Sequence, residues 1–276
     1  MKHYVKKIGD NEYRVEEFDS VVELTKANKT REVTSQWDGA SLNKGRISKD
    51  WHGVESYDQA YEFLQNGWEA GTKKVADLAN KVSKTGTRKK TVFTNNIHGF
   101  TPNVPLAIMG VPNSMIDIQT INVKSKILTL IYDNTASSGV DTDDMLEAGI
   151  NVVNTIVNLE MSGYRVNLKV MCSYCNSKSY DICIVNVKDA NQPLNLKKIM
   201  FPIANSAWLR VIGFDWEDKS PISLYKSSRG TPWYVKNNEG YASVDDFKQL
   251  FGQNTFYVNY RMAKGGTDDI KGLITK

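Results

Sequence analysis

The sequence predicts an α/β fold, in which helices cover a sheet that is extended by α+β segments at both termini. Three successive patterns in the middle of the chain support this prediction. The run Lys126–Tyr132 is short and almost wholly apolar, as a strand covered on both faces would be. An amphipathic helical pattern follows it, and RVNLKVMC, residues 165–172, then alternates as a strand does. The order strand, helix, strand is that of a βαβ unit.

The helix of this unit has recognisable ends. Asp141 stands at the N-cap position, and the first turn contains Asp143 and Asp144, whose charges complement the helix dipole. Apolar residues then recur at three- and four-residue steps. Gly163 ends the pattern, because glycine adopts the backbone conformation that commonly follows a helix.

Three further elements complete the central segment, residues 123–218. YDICIVNV, residues 180–187, alternates in polarity and is predicted to form a hairpin with the strand before it. Pro193 suits the first turn of another helix. The apolar run WLRVIGF, residues 208–214, is predicted as a strand that leads into Asp215.

Residues 1–122 are predicted to form an N-terminal α+β segment. Ser56 and Gln59 make a capping box, and the apolar residues after it predict one long amphipathic helix over residues 56–82. A proline-rich crossing segment, residues 96–117, follows later. Its prolines exclude a regular helix, and its apolar side chains are expected to pack against the core.

Residues 219–276 are predicted to form a C-terminal extension packed on the core. SVDDFKQLF, residues 243–251, has the capping and apolar pattern of a short helix. TFYVNYRM, residues 255–262, alternates as a strand and is expected at a sheet edge.

The composition is that of a globular protein. Of the 276 residues, 41% are hydrophobic and 24% are charged, which excludes a disordered chain. The net charge of +4 is too small to indicate nucleic-acid binding by itself. No run of 18 apolar residues occurs, and the N-terminus has no apolar stretch typical of a signal peptide. We therefore expect no membrane partner and a place in the cytosol, or in an assembly built there.

The cysteines favour ordinary reduced thiols. Cys172 and Cys175 form a CxxC, and Cys183 lies in the next predicted strand. A structural zinc site usually needs a second pair of ligands, which the sequence lacks. A redox CxxC prefers a helix N-terminus, whereas this one follows a strand-like run.

Four oxygen-bearing residues are candidates for a metal site. Asp133, Thr135 and Ser137 directly follow one predicted strand, and Asp215 follows another. If these strands are parallel in one sheet, both carboxylates reach its carboxyl edge, where α/β folds bind ligands. Such hard ligands suit Mg²⁺. The alternative is a structural loop, in which the same residue types form turns and caps.

This loop resembles the metal-ion-dependent adhesion site of von Willebrand factor A domains, whose motif is D-x-[ST]-x-S. Asp133, Thr135 and Ser137 match the motif, and Asp215 matches a later acid of the family. The resemblance implies a Rossmann-like sheet with Mg²⁺ at its carboxyl edge. The family's further threonine has no counterpart in KDANQPLNLK, and Trp216 stands where the family has glycine.

A basic cluster precedes the proline-rich segment. It consists of Lys81, Lys84, Arg88, Lys89 and Lys90. Such a cluster indicates either contacts to nucleic-acid phosphates or a solvated loop. No aromatic residues alternate with these cations, so base stacking is not indicated.

A second resemblance covers residues 50–215. It involves four stretches, WHGVESYDQAYEFLQNGWEAG, GFTPNVPLAIMGVPNSMI, SGYRVNLKV and PLNLKKIMFPIANSAWLR. They resemble an uncharacterised family encoded by bacteriophages and related mobile elements. The resemblance implies the cytoplasm of a bacterial host, or the virion, as the place of action, and it implies no activity.

The sequence favours a non-enzymatic binding or assembly protein that contacts a protein partner, with Mg²⁺ at the carboxyl edge of the sheet. It contains no P-loop, GxSxG, HExxH or dinucleotide-binding glycine motif. Virion assembly, replication and counter-defence all remain open as roles, as does a homo-oligomer. One alternative is a metal-dependent phosphoryl-transfer enzyme or nuclease, with Asp133, Asp215 and a third candidate, Asp141, around Mg²⁺ and with Lys89 or Arg88 on the phosphate. The other is nucleic-acid binding through residues 81–90.

Overall fold

The computed structural model shows a mixed α/β fold built on one large sheet with helices on both of its faces. The residues that the structure describes are 1–33, 47–77, 89–122, 126–176, 178–223, 231–232, 244–267 and 270. No helix in these ranges is long and apolar enough to cross a bilayer.

The strands and helices alternate irregularly along the chain. The strands are β1 (Lys2–Ile8), β2 (Asn11–Phe18), β3 (Lys89–Asn96), β4 (Thr101–Pro102), β5 (Met115–Asn122), β6 (Lys126–Asp133), β7 (Tyr164–Asn176), β8 (Ser179–Lys188), β9 (Thr231–Pro232) and β10 (Thr255–Asn259). The helices are α1 (Val21–Thr30), α2 (Lys49–His52), α3 (Tyr57–Asn66), α4 (Glu69–Lys73), α5 (Val104–Ile108), α6 (Thr142–Met161), α7 (Leu196–Ala204), a π-helix (Trp208–Gly213), α8 (Phe214–Lys219), α9 (Val244–Phe251) and α10 (Tyr260–Lys264).

The large sheet has six main strands in the order β1-β2-β8-β7-β6-β10, and the two-residue β9 pairs with β7. β6 is parallel to both β7 and β10, β2 is parallel to β8, and the hairpins β1–β2 and β7–β8 are antiparallel. The sheet is therefore mixed. It takes strands from the N-terminal segment and the C-terminal extension as well as from the central segment.

The predicted βαβ unit is confirmed as β6, α6 and β7, which cover nearly the residues expected. Asp141 occupies the N-cap of α6, and Gly163, just after the helix, has a φ of 82°. The two faces of the sheet are buried in separate apolar clusters. Most helices pack on one face, and α9 covers the other through Phe247. Burial on both faces explains the nearly continuous apolar run in β6.

The predicted strand 208–214 is wrong, because these residues form the π-helix and the start of α8. All six residues of the π-helix are buried. A short segment that is apolar at all but one position, here Arg210, suits a buried helix as well as a buried strand, so periodicity cannot distinguish the two. Gly213 permits close packing on β7, since a Cβ there would lie 2.8 Å from Tyr174 Oη.

The single long helix predicted over residues 56–82 is also wrong, because the chain turns at Gly67 between α3 and α4. The capping of α3 is confirmed, with Ser56 Oγ accepting from the Gln59 amide at 3.1 Å. Gly67 has a φ of 89°, and a Cβ there would lie 2.6 Å from the carbonyl oxygen of Lys197. The close approach of α7 therefore interrupts the apolar stripe. Residues 78–82 lie outside the described ranges.

The expectation that the crossing segment 96–117 packs against the core is wrong. It connects β3, β4 and β5, which form a separate antiparallel sheet in the order β3-β5-β4. None of its side chains belongs to either apolar cluster. Its strands pair with one another, and this pairing leaves its apolar residues outside the core. The prediction that its prolines exclude a helix is also wrong, because Val104–Ile108 form the short helix α5 with Pro105 in its first turn, where proline is tolerated.

Gly149 of α6 is expected to be intolerant of a side chain. A Cβ at this position would contact the backbone and the methyl group of Ala204 in α7. Gly149→Ala should lower the free energy of unfolding by about 1–3 kcal/mol through overpacking, although alanine is the better helix former. Urea denaturation measures the change. Gly139→Ala is the control, because open space surrounds Gly139; equal effects of the two substitutions would contradict the close packing.

Candidate functional site

The loop that begins at Asp133 connects three strands. Asp133 Oδ1 accepts from the amide of Thr135 at 3.0 Å and from its hydroxyl, and Oδ2 accepts from the hydroxyl of Tyr257 in β10 at 2.7 Å. Thr135 Oγ1 accepts from the Ser173 amide in β7 at 2.9 Å. Asp133 and Thr135 are fully buried, whereas Ser137 is exposed. The loop thus links the end of β6 to both of its neighbours.

Asp215 lies in α8 and has a different set of partners. Its Oδ2 accepts from the hydroxyls of Tyr57, at 2.5 Å, and Tyr61, both in α3. Lys219 Nζ lies 2.8 Å from Oδ1. The pKa values of both tyrosines are raised, chiefly by burial and then by the negative charge of Asp215. The carboxylate therefore holds α3 on α8.

The structure gives the predicted Mg²⁺ ligands separate hydrogen-bond partners. Asp215 is in a helix, so its predicted position after a strand is wrong. Its carboxylate is bonded to α3, whereas that of Asp133 is bonded to its own loop and to β10. The hydroxyl of Thr135 is directed at Asp133. Within the described ranges, no group of three or more histidine, cysteine or acidic side chains is arranged to hold a metal ion. The geometry of the loop therefore favours the structural alternative.

Addition of Mg²⁺ is accordingly expected to leave the melting temperature of the protein unchanged. A ligand that binds only the folded state would raise it. Thermal melting of the wild type and of Asp133→Asn, with and without Mg²⁺, makes the test. A melting temperature that rises with Mg²⁺ in the wild type and not in Asp133→Asn would show that the metal binds at Asp133.

The basic cluster lies mostly outside the described residues. Lys81, Lys84 and Arg88 are not among them, whereas Lys89 and Lys90 begin β3. The Lys90 side chain is exposed. Phosphate binding by this cluster stays a prediction.

A small cleft lies where α6 begins. It has a volume of about 160 Å³ and is lined in part by Lys49, Trp68 and Asp143. Pockets that bind drug-sized ligands usually measure ~300–1,000 Å³. Nearby, the buried guanidinium of Arg210 donates to the carbonyls of Trp51 and Val140, and burial lowers its pKa to about 10. These contacts tie α2 to the chain before α6 and indicate a structural role.

Residues 89–122, which we call the β-arm, contain nine of the fourteen large apolar side chains that are exposed among the described residues. Phe93 is 70% exposed, Phe100 60% and Ile108 81%. Six further apolar side chains of the β-arm are exposed: Ile97, Val104, Met109, Val111, Ile118 and Ile121. Sequence patterns could not find this surface, because an apolar residue has the same signature whether a core or a partner covers it.

The β-arm is also poor in charge. Its 34 residues contain three charged ones, Lys89, Lys90 and Asp117, whereas 24% of the whole chain is charged. Depletion of charge is typical of the centre of a protein–protein interface. Phe93 and Ile118 are directly paired between β3 and β5, so they share one face of the small sheet. The centroid of the Phe100 ring lies 6.3 Å from the centroid of the Phe93 ring.

Comparison with known proteins identifies a family. A family model described as a domain of unknown function, DUF7192, matches residues 4–248. The match spans the β-arm and most of the large sheet. No curated protein and no solved structure matches the chain.

Proposed function

We propose that this chain, which belongs to the DUF7192 family of domains of unknown function, is a non-enzymatic binding or assembly protein whose β-arm docks onto a protein partner. The observation that carries the proposal is the presence of nine exposed apolar side chains within residues 89–122, two of which, Phe93 and Ile118, share one face of the small sheet. Exposed apolar patches of this kind mark interaction sites, because leaving them in water forgoes about 25 cal/mol for each Å².

The architecture of the β-arm supports the same proposal. Antiparallel sheets usually bury one face against a core, and small sheets need such a face for stability. In the described part of the chain, neither apolar cluster includes a residue of the β-arm. A partner strand or layer that contacts the side chains of Phe93 and Ile118 would supply part of the missing contacts.

The place of action is also a proposal. Resemblance to a family encoded by bacteriophages supports action in the bacterial host cytoplasm or in the virion, in assembly, replication or counter-defence. The unit β6-α6-β7 and the D-x-T-x-S sequence after β6 support a distant relation to von Willebrand factor A domains. The enzymatic alternative requires Asp133 and Asp215 around one ion, and their separate hydrogen bonds do not support it.

The test is to place charge on the proposed surface. The double variant Phe93→Lys/Ile108→Lys and the wild type are each used to capture proteins from the cells that naturally make the chain. The recovered partner is then purified, and its affinity is measured. We expect the double variant to bind at least about tenfold more weakly, since burying an unpaired lysine is costly.

Val22→Lys is the matched control, because Val22 is 68% exposed on α1, outside the β-arm. This control should bind like the wild type, and all variants should melt at similar temperatures. A purified partner that binds the double variant as tightly as the wild type would overturn the proposal.

A further inference from the structure

We infer that the partner of the β-arm is a second copy of this chain, joined by antiparallel pairing of the β3 strand of one copy with the β3 strand of the other. This inference rests on the proposed function, because it names the protein that the β-arm binds. It follows from the two edges of the small sheet, from the charges along β3 and from the position of Phe93.

The two edges of the small sheet differ in their capacity to add a strand. On the opposite side of the sheet, β4 pairs only with Met115 and Ile116 of β5 and contains Pro102, which has no amide hydrogen to donate. The rest of that edge, residues 117–122 of β5, is two residues shorter than β3 and begins with the charged Asp117. The β3 edge has eight residues without proline, and β5 is its only strand neighbour among the described residues. A long edge of this kind presents unpaired N–H and C=O groups, which are a template for another strand. Addition of a strand is therefore expected at β3.

The charges along β3 favour antiparallel pairing with itself. Both of its lysines are at its start, and the rest of the strand, TVFTNN, is uncharged. With Phe93 opposite Phe93 of the second copy, Lys90 lies opposite Asn96 of that copy. The two Lys90 residues are then six residues apart along the strands, or roughly 20 Å at about 3.4 Å per residue. This separation exceeds the screening length of about 8 Å. Parallel pairing in register would instead place the lysines side by side.

The twofold symmetry and the apolar face select the register. A twofold axis that relates two antiparallel edge strands is perpendicular to the sheet, so one residue faces its own copy. With Phe93 at the axis, two aromatic rings form a cross-strand pair. Because Phe93 and Ile118 share a face, the apolar faces of both copies then become continuous across a six-stranded sheet. Val92 faces Thr94 of the second copy in this register.

Cysteine cross-linking tests the register in the full-length protein. Val92→Cys and Thr94→Cys chains are mixed and mildly oxidised. Directly opposite residues lie about 4.5–5.5 Å apart, within reach of a disulfide. Two Val92→Cys chains would place their thiols about two residues out of register, which is beyond that reach. The native residues Cys172, Cys175 and Cys183 are buried and do not compete.

We expect the mixture to form a covalent dimer and each variant alone to form little covalent dimer. Light scattering of the unmodified chain should give a mass of 62.2 kDa, twice the 31.1 kDa of one chain. Phe93→Lys should shift this mass to that of the monomer. A dimer whose mixture does not cross-link would overturn the β3 pairing. A chain that is monomeric at every concentration would overturn self-association. If a different protein then binds through the β-arm, the proposed function still holds. If no protein binds through the β-arm, the proposed function and this inference are both wrong.

Discussion

Replacing Asp215 with alanine is expected to lower the free energy of unfolding by about 3–5 kcal/mol, the usual loss when one partner of a buried ion pair is removed. The Asp215 side chain is fully buried, and that of Lys219 is 12% exposed. The substitution leaves the Lys219 charge without its carboxylate, and it also removes the acceptor of the Tyr57 and Tyr61 hydroxyls. Chemical denaturation followed by circular dichroism measures the loss.

Two further variants serve as controls for this experiment. Asp215→Asn keeps an oxygen that accepts from the tyrosines and should lose less stability than the alanine variant. Glu62→Ala removes an exposed carboxylate from α3 and should change stability by less than about 1 kcal/mol. If Asp215→Ala unfolds at the same denaturant concentration as Glu62→Ala, the carboxylate does not hold α3 on α8. The loss should be the same with and without Mg²⁺.

Replacing Lys188 with methionine is expected to cost a similar amount, about 3–5 kcal/mol. Lys188 is the last residue of β8, and its Nζ donates to Glu160 Oε1 of α6 at 2.7 Å and to the Val166 carbonyl of β7 at 3.1 Å. Both charged side chains are almost completely buried. Without Lys188, the Glu160 carboxylate keeps only a 4.0 Å approach to Arg165 and an amide donor from Val166.

A second substitution separates charge from packing. Lys188→Met/Glu160→Gln removes both charges, and the glutamine oxygen can still accept from the Val166 amide. This double variant should recover most of the stability, since replacing a whole buried pair by uncharged groups is often nearly neutral. If the double variant is as unstable as Lys188→Met, lost packing rather than an unpaired charge explains the effect.

The parts of the fold that local pattern controls were predictable. The βαβ unit, the β7–β8 hairpin, α9 and the strand that begins at Thr255 all have periodicity, capping residues or turn residues of their own. These signals act within a few residues of each element, so the sequence displays them directly. The strand from Thr255 ends at Asn259, whose side chain caps the short helix α10 through the Met262 amide.

The failures share one cause, which is that burial depends on what surrounds a segment. Residues 208–214 are apolar except for Arg210, and the layer of helices around them accommodates them as a helix. The apolar residues of the β-arm resemble core residues, yet no core of the described chain includes them. The predicted position of Asp215 at the sheet edge depended on a strand before it. Because those residues form a helix instead, Asp215 lies in the interior and contacts tyrosine side chains.

The sequence by itself determined the α/β class, the order of the central elements, the ends of α6 and the polar loop after β6. Only the tertiary structure decided that β2 and β10 join the same sheet, that Asp133 and Asp215 have separate partners, and that residues 89–122 present an apolar surface. The physical reason is range: caps, turns and periodicity act between near neighbours in the chain, whereas strand order and burial depend on contacts between residues that are far apart in it.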